Sequence, residues 1–189
     1  MITYKEAINR ILTTIGENPI DSEPSDNIKN PTVSIILRAL QDSNKRLQES
    51  GYWFNSREVT LTPNFKGHLI VPYDTLNWVS EYGGTYLLRD KLACSKTGSV
   101  YFDENHKEKG KAIVLVPFED LPHSFAECVV LDAELESYLN TYGVDEHYQV
   151  LQQNMLSRLD NFTRDTVRQG KFNTKRKRAW RSINGARFR

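Results

Sequence analysis

ESGYWFNSREVTL, residues 49–61, decides how this chain is read. Gly51 suits the left-handed stop of a helix, three aromatics follow directly, and Val59 and Leu61 then begin the two-residue period of a strand. A surface turn has no use for Tyr52, Trp53 and Phe54 in succession, and one face of one element cannot take all three. The stretch is expected to be a structural joint, Gly51, Tyr52, Trp53 and Phe54, where a helix hands over to a sheet. Successive strand side chains point to opposite faces, so Trp53 is expected in one hydrophobic layer and Tyr52 with Phe54 in another. Packing at the junction is the favoured role; stacking on a ligand is the alternative.

Upstream, Val33, Ile36, Leu37, Leu40 and Leu47 recur at helical spacing after Asn30-Pro31, an N-cap followed by proline at the first helical position. They predict a helix over about 31–50. Residues 17–30 read as a loop, and before them Thr3 and Glu6 form a capping box that opens a helix over about 3–15, stopped at Gly16. Downstream, from about 56 to 117, HLIVPY, TYLL, SVYF and AIVLVPF are short strand-like runs between turn residues. KEKGK, Lys107 to Lys111, reads as a solvated hairpin tip.

Two further helices are predicted over about 124–142 and 145–169. The first places Phe125, Cys128, Val129, Leu135, Leu139 and Tyr142 on one face, and the second repeats Leu151, Met155, Leu159, Phe162 and Thr166. The expected fold class is α+β: a bundle of about four helices with a small β region inserted between the second and third, forming one domain over 1–170, followed by an extended basic C-terminal arm over 171–189.

Composition agrees with one sizeable core, since the chain has 189 residues, 39% of them hydrophobic. Charge is split along the chain. Residues 1–170 hold 17 Lys and Arg and all 24 Asp and Glu, a net charge of −7, whereas residues 171–189 hold 8 Lys and Arg and no acid. Cys94 and Cys128 are isolated, no secretory leader opens the chain, and no apolar run approaches membrane length, so a soluble protein made in the cytoplasm, with no membrane partner, is expected.

The chemistry-bearing residues form no site pattern. His68, His106, His123 and His147 lie apart without metal-ligand spacing. Gly83-Gly84 lacks the Lys-Ser/Thr of a phosphate loop, no nucleophile elbow occurs, and Glu119-Asp120 and Asp145-Glu146 suit helix caps. No catalytic residue, metal or cofactor is expected.

The arm is the strong signal. Lys171, Lys175, Arg176, Lys177, Arg178, Arg181, Arg187 and Arg189 are interleaved with Phe172, Trp180 and Phe188. A solvated end has no need of the aromatics. A nucleic-acid arm would use the cations on phosphates and the rings on bases. A docking arm would pair the cations with carboxylates and seat the rings in pockets.

Five blocks carry a family resemblance: ILTTIGENPI at 11–20, ESGYWFN at 49–55, a strand ending in TLTP, VPYDTL at 71–76 and FEDLPHSF at 118–125. In this order and spacing the chain resembles the tail tubular protein A family, the head-to-tail adaptors of short-tailed phages. The resemblance implies a virion tail protein without enzyme activity, forming a dodecameric ring of its own copies beneath the portal protein. It also implies contact with a tail nozzle resembling tubular protein B, and double-stranded DNA passing through the channel. Carried onto this chain, the pattern makes Ile15, Gly16, Glu17 and Pro19 the exit of the first helix. Gly51, Trp53 and Phe54 become the joint, and Leu121-Pro122 the opening of the second helical pair. The arm is denser in Lys and Arg than the shared pattern demands. Portal docking is its expected role, and nucleic-acid binding through the arm is the alternative.

Overall fold

A computed structural model describes residues 1–22, 30–81, 87–89, 91–95 and 99–169. Four helices form the bundle: α1, Tyr4–Thr14; α2, Pro31–Gln48; α3, His123–Tyr142; and α4, Glu146–Gln169. Local chemistry sets their ends. The Thr3 hydroxyl accepts from Glu6 N while Thr3 N donates to the Glu6 carboxylate, and Asn30 accepts from Thr32 N ahead of Pro31.

α1 runs parallel to α3: Tyr4 packs on Phe118 at one end, and at the other the Tyr142 hydroxyl donates to the Ile15 carbonyl at 2.7 Å. α4 turns back along α3, bringing Phe162 within 5.0 Å of Phe125. Ile8, Ile11, Val33, Ile36, Leu40, Phe118, Phe125, Val129 and Phe162 form the centre of this core.

α3 differs from the one-faced helix expected. Burial runs almost all round it from Phe125 to Tyr138, while Leu139 and Tyr142 are exposed. The cause is its position, since α1, α2 and α4 all pack against it. Encirclement buries acids as well, and each is answered. Arg46 meets Asp132 at 2.6 Å and Glu136 at 3.2 Å, and Glu134 takes Arg10 at 3.3 Å and the Thr14 hydroxyl.

The β region holds β1, Ser56–Leu61; β2, Thr75–Ser80; β3, Leu87–Arg89; β4, Leu92–Cys94; and β5, Glu108–Val114. β5 is the central strand of an antiparallel sheet of order β1-β5-β2, with Val59 and Ser80 both opposite Gly110; β3 and β4 form a separate hairpin. KEKGK is therefore strand rather than a solvated tip. Its charges alternate with the pleat: Lys109 and Lys111 face solvent, while Glu108, Gly110 and Ala112 are buried. SVYF, read as a strand, forms none; Phe102 N instead bonds the Gly67 carbonyl at 2.9 Å.

A second core, Leu61, Leu69, Val71, Trp78, Ala93, Ala112 and Val114, lies beneath the sheet. Gly110 is required there, because a Cβ would fall 2.4 Å from the Val79 carbonyl oxygen and 2.6 Å from the Trp78 ring.

Candidate functional site

The chain crosses between bundle and sheet twice, after α2 and before α3, and the site is built where the crossings meet. The buried stripe of α2 begins apolar and ends polar, with Ser43, Asn44 and Gln48 inside. The Gln48 amide pairs with Val116 as a strand would. Its Nε2 donates to the Val116 carbonyl at 2.8 Å and to Asn44 Oδ1 at 2.7 Å, and its Oε1 accepts from Val116 N at 2.9 Å. Asn44 Nδ2 adds a bond to the same carbonyl at 3.2 Å.

Asn55, fully buried, ties the outgoing strand to this bracket. Its Nδ2 donates to the Gln48 carbonyl at 3.0 Å, its Oδ1 accepts from Tyr52 N at 2.7 Å, and its carbonyl accepts from Val114 N at 2.9 Å. Gly51 adopts φ +75°, and a Cβ on it would lie 2.7 Å from Ile113 Cδ1, so conformation and space both call for glycine.

Tyr52 and Phe54 stack on each other at 5.8 Å, and each meets Phe125 at 4.9 Å. Phe162 closes the cluster, 5.2 Å from Tyr52. Burial raises the Tyr52 pKa. Trp53 corrects the expectation: it is 50% exposed and touches Phe54 edge-on. Residues 52–55 form a turn, with Asn55 N and Ser56 N both bonded to the Tyr52 carbonyl, so strand alternation does not yet apply. The other half of the joint is polar, built from the buried Gln48 and Asn55 amides. Those residues were missed in the sequence, although Asn44 and Gln48 continue the i, i+4 repeat of Leu40.

The reactive side chains are placed structurally. Cys94 and Cys128 are buried free thiols, and burial pushes Cys128 up to about 11. Ser80 donates to buried Glu108, whose other oxygen lies 3.5 Å from His106 Nε2. His68 packs by Tyr101, His123 lies 3.8 Å from Glu127, and His147 meets Tyr138. Among the described residues no His, Cys, Asp and Glu group has metal-site geometry, and no helix is long and apolar enough to cross a membrane.

Two surfaces flank the joint. The outer face of the sheet is an open concavity in which Glu58 and Glu81 are set among Lys109 and Lys111, with Thr60 and Val79 between them. On the bundle side, α4 ends at Gln169, two turns beyond Phe162 and therefore past the joint. The arm residues that follow, Lys171, Phe172, Lys175, Arg176, Lys177, Arg178, Trp180, Arg181, Arg187, Phe188 and Arg189, lie outside the described residues.

Residues 5–172 match the family described as tail tubular protein. The chain is also 31% identical over 186 residues to tail tubular protein A of Klebsiella phage KP34, covering 97% of each chain. The helical bundle, the inserted sheet and the polar bracket joining them are thus the body of a structural phage tail component of the virion, and the chain belongs to the tail tubular protein family.

Proposed function

We propose that this protein is the ring-forming head-to-tail adaptor of a short-tailed phage, joining the portal to the tail nozzle around the DNA channel. The observation that carries this reading is the joint: a bracket of buried amides and a cluster of four aromatics hold a helical body and a sheet, two chemically different surfaces, on one chain. An adaptor needs that arrangement, because each surface must meet a different partner in a fixed relative direction. Ring closure, twelvefold by the family resemblance, uses heterologous contacts in which one flank of a subunit fits the opposite flank of the next.

The arm from Lys171 to Arg189 serves as the portal-docking segment, with Phe172, Trp180 and Phe188 as anchors. Residues 1–170 carry a net charge of −7, which suits a channel that must let DNA pass rather than hold it. Truncation after Gly170 is expected to leave a folded body that no longer co-purifies with portal, and Trp180→Ala to weaken the complex at unchanged charge. Truncated protein that still binds portal but loses a steep, salt-dependent affinity for duplex DNA would favour nucleic-acid binding through the arm instead.

A further inference from the structure

The end of the bundle remote from the sheet carries apolar surface that the rest of the described chain leaves open. Leu139 and Tyr142 in the last turn of α3, and Val144 after it, are 39%, 55% and 70% exposed. The Tyr142 bond to the Ile15 carbonyl draws the exit of α1, with Glu17, to the same tip.

Charge at this tip is one-sided. Between Lys111 and Arg158 the sequence has eight acids and no Lys or Arg. Four of those acids meet arginines in the bundle: Glu127, Asp132, Glu134 and Glu136. Glu146 and Glu17 have no ion-pair partner among the described residues, Asp145 is met by the Tyr138 hydroxyl, Tyr148 N and His147 rather than by Lys or Arg, and neither α1 nor α3 carries a basic residue in its last turn. The carboxyl end of α3 adds its dipole to the same sign.

We infer that this tip is the docking surface for the basic arm, residues 171–189, of a second copy of this chain. The chemistries are complementary in both respects. Eight cations without an acid meet carboxylates that no Lys or Arg answers, and Phe172, Trp180 and Phe188 meet Leu139, Tyr142 and Val144. Geometry favours a second copy over the same chain. α4 carries the chain 24 residues away from the tip before the arm begins, about 36 Å at 1.5 Å per residue. Returning would use about 11 extended residues at roughly 3.3 Å each. Within one chain, Lys171, Phe172 and the KRKR run, residues 175–178, would therefore fall short of that tip. A neighbouring tip can take those residues, and a root and a receptor at opposite ends of one body make a head-to-tail contact. The inference goes beyond the adaptor reading: it concerns contacts between copies in the absence of portal.

The test uses full-length protein without portal, mixed from equal parts of unlabelled and nitrogen-15-labelled chains and coupled with a carbodiimide that joins lysine amines to carboxylates in direct contact. Mixed-isotope links from Lys171, Lys175 or Lys177 to Glu17, Asp145 or Glu146 are expected. The double variant Val144→Ser, Glu146→Gln should reduce the remaining links to Glu17 and Asp145 by about fivefold with unchanged circular dichroism, and salt at about 0.5 M should do the same. Links within single-isotope chains only, links spread over acids such as Glu119, Asp120 and Asp160, or a double variant without effect would each overturn the inference. None of these outcomes bears on portal co-purification, so the two readings fail separately.

Discussion

Gln48 does with one side chain what a neighbouring strand does with its backbone: from a fully buried position it offers half-buried Val116 a donor and an acceptor. Truncating it leaves the Val116 N–H without a partner and frees the Asn55 amide from part of its bonding. Unsatisfied buried polar groups cost about 1–3 kcal/mol each. Gln48→Ala is accordingly expected to lose about 2–3 kcal/mol in urea unfolding. Trp53→Ala, at a half-exposed turn, should lose about 1 kcal/mol or less. The reverse order would show that the joint is held by the tryptophan after all. Gly51→Ala should be costly for a separate reason, since positive φ and the 2.7 Å approach of Ile113 act together.

At the scale of elements, the turn from α3 into α4 is held by one carboxylate. Asp145 accepts from Tyr148 N at 2.7 Å, which lowers its pKa, and from the Tyr138 hydroxyl at 2.7 Å, whose own pKa that bond pushes up to about 12. The two shifts have opposite consequences. A depressed carboxylate stabilises the fold at neutral pH, and that contribution is lost as pH falls through the folded pKa. A raised phenol stabilises it below its ordinary value of 10, and that contribution is lost as pH climbs toward about 12. The melting-temperature gap between wild type and Tyr138→Phe should therefore narrow from pH 10 to 12, and that between wild type and Asp145→Ala should narrow on acidification. Constant gaps would mean that the bonds do not couple to folding.

The same scale shows what the sequence could convey. α1 and α2 were legible because their signals are local: a capping box, a proline at the first position, and a stripe facing one core. α3 was legible as a helix, but its buried face was misread because a helix surrounded by three others has no polar face to set the period. The first half of β5 was misread because lysine dominates the outward side of its alternation, and glycine holds an inward place that the Val79 carbonyl and the Trp78 ring explain. The joint was visible as aromatics and a glycine. Its polar half was not, because buried amides look like surface residues until their partner, a backbone 68 residues away, is known.

On the scale of the whole molecule, two hydrophobic cores, one in the bundle and one beneath the sheet, are linked through the Gln48 bracket. In wild type both are expected to melt in one transition, whereas Gln48→Ala should let the sheet open first. Helical circular dichroism measures one core. For the other, the bare backbone at Gly110 has an optical consequence. It lets the Trp78 indole sit almost wholly inside the sheet, 4% exposed, while Trp53 stands half in solvent. Trp78 should emit in the blue and resist acrylamide until the sheet opens, and Trp53 should emit in the red and be quenched from the start. With Trp53→Phe and Trp180→Phe in place, the remaining emission becomes a lamp inside the sheet alone. A red shift ahead of helix loss would then report that the two halves have come uncoupled.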